Sequence, residues 1–149
     1  MDDELAKDLG KESLAEVKTE LEKSLIHRKE REFRNNYAET VKTILLKDYN
    51  FEIPQTIVDE EVKRTNTKAE EVAAQIRLEL ILDAIAAKEN IQATQNDVEN
   101  RLTSLSQIYR QPVAEIRKLY AKNNMMSALA TQIVLDKTLD FIIDNAKLS

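Results

Sequence analysis

Two places in this sequence hold side chains in an arrangement that could do chemistry: His27, the only histidine, and the run Asp59-Glu60-Glu61. General acid–base work by a histidine needs a nucleophile or a second base within hydrogen-bond reach. His27 instead lies in HRKEREFRNN among Arg28, Lys29 and Arg31 with no such partner, and reads as a solvated helix residue. The three carboxylates imitate an acid–base pair, but they fall in the first two turns of the helix that Pro54 opens, where they interact favourably with its dipole. No His or Cys lies near them in sequence to complete a metal site. Cysteine is absent, which removes disulfides, thiolate ligands and cysteine nucleophiles together and is compatible with a reducing cytoplasm. Gly10 is the only glycine, so no phosphate-cradling loop can be built. The expectation is a chain that is not an enzyme, with no catalytic residues, no metal and no cofactor.

Apolar side chains are what the sequence has in excess. Met125 and Met126 stand beside Leu129, and an unbranched thioether adapts to varied partners. Core filling is the competing role for each of them. Ile53, Ile57, Val58, Met125, Met126, Leu129 and Ile133 sit at helix ends or on secondary helix faces, and these seven are the candidate contact surface.

The elements that must carry them are helices. One glycine and two prolines leave little turn chemistry for a β-rich fold, and 33% charged residues with 5% aromatic ones suit long, solvated helices. The centre is Lys68 to Ile91, where Val72, Ile76 and Leu80 fall on one side and Leu78, Ile81, Leu82 and Ile85 on nearly the opposite one. A helix apolar on two faces needs neighbours on both, here from both ends of the chain, and Leu80 is placed on a buried side. Before it, Ser13 with Glu16 forms a capping box, and no breaker follows until Asn50 to Pro54. A helix from Leu14 to Lys47 would be about 50 Å long, and its polar middle between apolar ends suits a bridge between two bodies. Thr67 with Glu70 caps the central helix, and Thr94 with Asp97 starts the next, striped with Val98, Leu102, Leu105 and Tyr109. Pro112 opens a short helix with Val113, Ile116 and Tyr120 inward, and Asn123 and Asn124 mark a turn before a last helix to Ala146.

A net charge of -5, with no Lys/Arg block free of interleaved Glu, argues against nucleic acid as a partner. The longest apolar run is far too short to span a bilayer, and MDDELAKDLG is acidic where a secretory signal is basic, so no membrane partner is expected either.

Phe51-x-Ile53-Pro54 followed by Glu60 and Glu61, then Lys88-Glu89-x-Ile91, then Lys137-x-Leu139-Asp140-Phe141, resembles the C-terminal substrate-binding domain of bacterial trigger factor. The likeness covers nearly all of the chain in the family's order. It implies an all-α, cytoplasmic, ATP-independent chaperone domain over residues 1–149, a helical cradle with protruding arms that holds unfolded or nascent polypeptides. It also implies that the family's ribosome-binding and prolyl isomerase domains have no counterpart here, so that ribosome contact runs only through a domain absent from this sequence. One departure is that only Lys63 to Thr67 separates the Pro54 helix from the central helix, where the family usually inserts a longer hairpin. The competing reading is a structural or oligomerisation module whose surplus apolar faces serve self-association.

The sequence therefore predicts an elongated all-α molecule with a long N-terminal bridging helix and protruding helical arms. Small-angle scattering should give a radius of gyration well above the roughly 15 Å of a compact globule of this length. A near-spherical particle would contradict it.

Overall fold

The computed structural model describes residues 14–146, which hold six α-helices and, among the described residues, no strand. They are α1 (Leu14–Asp48), α2 (Gln55–Thr65), α3 (Ala69–Glu89), α4 (Gln95–Tyr109), α5 (Val113–Lys122) and α6 (Met126–Asn145). Every helix anticipated from the sequence forms within a residue or two of its expected bounds. The all-α class is correct. By contacts the chain divides into two compact units, one up to Thr40 and one from Val41 onward.

The described part of the first unit is the N-terminal three quarters of α1. Leu21, Leu25, Ile26 and Phe33 are exposed there, and Phe33 stacks nearly parallel on Tyr37, ring centroids 6.2 Å apart. Local contacts support the helix, as when Thr19 Oγ1 donates to the Ala15 carbonyl at 2.9 Å. Ser13, the expected cap, lies outside the described residues.

In the second unit α3 is central. It packs most extensively on α6 and also on α2, so its two apolar faces do have partners on both sides. Val72, Ile81, Leu82 and Ala86 are buried on it. Leu80 is 49% exposed, contrary to the expectation that it faces a partner. The reason is the short neighbour: α2 has 11 residues, and the segment before it is held at Arg77, whose Nε donates to the Phe51 carbonyl. Leu80 lies almost a turn beyond that point and stays half open to solvent.

A buried cluster joins the last three helices. Leu102 of α4, Ile116 of α5, and Leu129 and Ile133 of α6 form one buried cluster, with Val98, Leu105, Val113 and Tyr120 packed around it. Tyr109, expected to extend the α4 stripe inward, is exposed because α4 ends there.

A chain with a single glycine must still turn sharply, and it uses other residues in left-handed conformation: Asn66, Asn90, Arg110 and Asn124, with φ of 54°, 56°, 53° and 54°. After α3, α4 and α5 the same six-to-one bond closes the helix, from Ile91 N–H to Ala86 O, Gln111 N–H to Ser106 O and Met125 N–H to Tyr120 O. Asparagine tolerates this conformation, whereas an Arg pays a steric penalty of about 1 kcal/mol.

Three substitutions test this packing by urea unfolding. Leu102→Ala should lower stability by about 2–5 kcal/mol. Leu80→Asp should change it by less than about 0.5 kcal/mol. Arg110→Gly should raise it by about 1 kcal/mol through relief of the left-handed strain.

Candidate functional site

The residues that could have done chemistry are engaged locally. His27 Nδ1 lies 3.3 Å from Glu30 on an exposed stretch of α1. On α2, Gln55 Nε2 donates to Asp59 at 2.8 Å, and Arg64 grips Glu61 through Nε at 2.9 Å and a terminal nitrogen at 2.5 Å. That pairing with Arg64 holds the Glu61 carboxyl below its ordinary range. Among the described residues no group of three or more His, Cys, Asp or Glu is placed to hold a metal ion.

The apolar candidates fall into two groups. Ile53, Ile57 and Val58 belong to α2 and the segment before it. Ile57 is 49% exposed and lines a cavity of about 200 Å³ with Val72, Ile76 and the Glu61–Arg64 pair. Ile53 is half-buried and lines an open groove of about 650 Å³. Val58 is buried, because a helix with one apolar stripe turns it onto α3.

Met125, Met126, Leu129 and Ile133 begin α6. Met125, 44% exposed, is open to solvent and Met126 is half-buried. Leu129 and Ile133 are not an open surface, since both belong to the cluster formed with Leu102 and Ile116. The expectation of a secondary, uncovered face there fails because α4 and α5 fold back over it. Side chains that sequence reasoning did not single out are more open: Ile108 at 72% exposed and Leu119, on α4 and α5, and Phe51 ahead of α2. The signal for Ile108 was present, as it lies off the Val98–Leu102–Leu105 stripe.

A polar seam holds the frame under these surfaces. Lys137 Nζ of α6 donates to Asp97 Oδ2 at 2.7 Å and to the Gln92 carbonyl at 2.9 Å. Asp97 also closes the capping box of α4, its carboxylate accepting from Thr94 N–H at 2.8 Å while the Thr94 hydroxyl accepts from the Asp97 N–H at 3.2 Å. Arg101 pairs with Asp136 between α4 and α6, and Arg117 with Glu99 between α5 and α4. Lys137, then the Thr94 contacts, hold the Asp97 carboxyl down at about 2, and Arg117 lowers that of Glu99. The expected Thr67 cap does not form: Lys68 occupies that position with no side-chain cap bond, and Thr67 Oγ1 reaches only the Thr65 carbonyl, at 3.5 Å.

Fold and surface together define an all-α domain of helical hairpins whose apolar side chains divide between a small core and open helix faces. The sequence profile of the bacterial trigger factor protein (TF) C-terminus matches residues 13–75 and 65–144. The chain belongs to that family. Among the relatives are the trigger factors of Carboxydothermus hydrogenoformans, 34% identical over 99% of this chain and 41% of its own length, and of Alkaliphilus metalliredigens, 29% identical over 100% and 42%. The chain thus spans about two fifths of the length of the curated relatives it matches. No solved structure matches it. The alignment with the first relative runs over 178 positions against 149 residues here, so at least 29 of the relative's residues have no counterpart. The two profile matches overlap at residues 65–75, where α2 turns into α3.

The Asp97 contact has a definite pH signature. Its folded-state value of about 2 lies below the ordinary 3.8, so the contact stabilises fully above that ordinary value and is lost as pH falls toward about 2. Urea midpoints should hold steady from neutral pH down to roughly 5 and then decline. Asp97→Asn should be less stable at neutral pH and show a shallower acid decline; an unchanged decline would mean that other carboxylates carry it.

Proposed function

We propose that this chain is an ATP-independent chaperone module that holds unfolded or nascent polypeptides on dispersed apolar side chains in the cytoplasm. The observation that carries the reading is the exposure of large apolar groups on a frame that is otherwise satisfied. Ile57, Ile108, Leu119 and Met125 are open to solvent, while no buried side-chain nitrogen or oxygen lacks a partner among the described residues. Membership of the trigger factor C-terminal family supports it. Burying one Leu- or Ile-sized side chain contributes about 1.5–3 kcal/mol before ordering costs, so single contacts are weak and several along one flexible client add by multivalency. The reading assigns neither prolyl isomerisation nor ribosome contact to these residues, and it calls on no nucleotide or metal.

A second reading, self-association, is favoured by one observation: Leu21 and Leu25 lie on one side of α1, four residues apart and exposed. Sedimentation across a hundredfold range of concentration separates the two, because a permanent interface stays occupied while a client surface stays open.

The chain should suppress aggregation of a chemically unfolded client without nucleotide or metal, and should not accelerate prolyl isomerisation. Ile57→Ser combined with Met125→Ser should weaken suppression while leaving unfolding stability within about 0.5 kcal/mol per site, since both side chains are exposed. Full suppression by the double variant would place the contact surface elsewhere.

A further inference from the structure

Between α1 and α2 the chain runs through Tyr49–Pro54 without helix, and the backbone amides of Asn50, Phe51, Glu52 and Ile53 have no hydrogen-bond partner among the described residues. Glu52, Ile53 and Pro54 at the end of this strap form one wall of the 650 Å³ groove, whose other walls are the start of α2 and the first turns of α3. Ile53, Pro54, Val58, Ala69 and Ala73 give it an apolar lining. Ala69 and Ala73 lie one turn apart on α3, and with only methyl groups they leave room for a backbone to come close. The strap is not loose at its middle. Arg77 Nε donates to the Phe51 carbonyl at 2.8 Å, and the guanidinium lies 5.9 Å from the centre of the Phe51 ring.

We propose that this groove seats an extended segment of an unfolded chain, which pairs its backbone with the free amides and carbonyls of the strap and lays an apolar side chain against the groove lining. Arg77 is the positioning residue that sets the strap for it. The inference rests on the chaperone reading and adds to it a mode of contact. Unpaired backbone donors beside an apolar lining are matched by an extended backbone, which offers its own amides and carbonyls at every second residue, as when a peptide adds a strand to a sheet edge. A folded surface or a small apolar molecule would leave those groups unanswered. Fixing the strap through one carbonyl lowers the ordering cost of pairing with the rest. Backbone pairing is indifferent to side-chain identity, which suits a surface that meets many sequences. Glu52 and Glu70, without partners among the described residues, line the same groove and repel acidic segments.

The test compares two neutral peptides of alternating apolar and polar residues, identical except that one is N-methylated at every second residue. Fluorescence anisotropy with the full 149-residue chain gives their affinities, and NMR amide exchange reads the strap. The unmodified peptide should slow exchange at Phe51, Glu52 and Ile53 about tenfold or more, and the methylated one should bind about tenfold more weakly, the scale of one or two net backbone hydrogen bonds. Arg77→Ala should weaken the unmodified peptide severalfold with the thermal midpoint nearly unchanged, and Arg77→Lys, which keeps a donor, should restore part of the loss. Equal affinity for the two peptides, or a bound peptide that leaves strap exchange unchanged, overturns the proposal on the wild-type chain alone. If aggregation of an unfolded client is still suppressed in that case, the groove is wrong and the chaperone reading stands. If suppression is itself absent, both fall.

Discussion

One ammonium group holds three parts of the second unit in register. Lys137 Nζ reaches from the middle of α6 to the Gln92 carbonyl, in the turn after α3, and to Asp97, whose carboxylate also caps α4. The same contact therefore fixes where α6 sits, where the turn passes and where α4 starts. Its geometry is possible only because the apolar cluster beside it, Leu102 with Ile116, Leu129 and Ile133, draws α4, α5 and α6 together. A partly exposed ion pair contributes little on its own. Its value here is in selecting one register among the several that sliding apolar helices would tolerate.

From α2 to α3 the frame is thinner. Val58 and Val72 are the buried pair, and the strap ahead of α2 is held by Arg77 at the Phe51 carbonyl. Elements with few buried apolar contacts open at lower cost than a core, so this hairpin opens at lower cost than the cluster of Leu102, Ile116, Leu129 and Ile133. The exposure of Leu80 has the same origin, a covering helix too short for the surface it faces.

Most of the helical architecture was legible in the sequence because helix periodicity and punctuation agree. Pro54, Thr94 with Asp97, and Pro112 each mark a start, and Asn66, Asn90 and Asn124 each fall at a left-handed turn. Arg110 carries no such signal, since nothing in an arginine announces a positive φ. The site was legible only in half. Periodicity tells which face of a helix is apolar, but whether that face is covered depends on how far its neighbour extends. Leu80 and Ile133 fail in opposite directions for that reason: α2 stops short of Leu80, while α4 and α5 close over Ile133. The Arg77–Phe51 contact, between residues 26 positions apart, had no local signature at all.

Exposed apolar groups invite collapse or aggregation, and the fold bears them because helices satisfy their own backbone. The interior turns of each element close their hydrogen bonds internally, the Thr94–Asp97 capping box closes the start of α4, and the six-to-one bonds after α3, α4 and α5 close those C-terminal ends. Side chains such as Ile57, Ile108 and Met125 can then stay exposed without leaving unpaired polar groups that a neighbouring chain would capture. The strap at Asn50–Ile53 is the exception, the one stretch between helices where several consecutive amides are unanswered among the described residues. A run of open backbone outside the helices, beside a groove with an apolar lining, differs in kind from the exposed helix faces. In the chaperone proposed above, the helix faces supply non-directional contacts and the strap supplies a directional one.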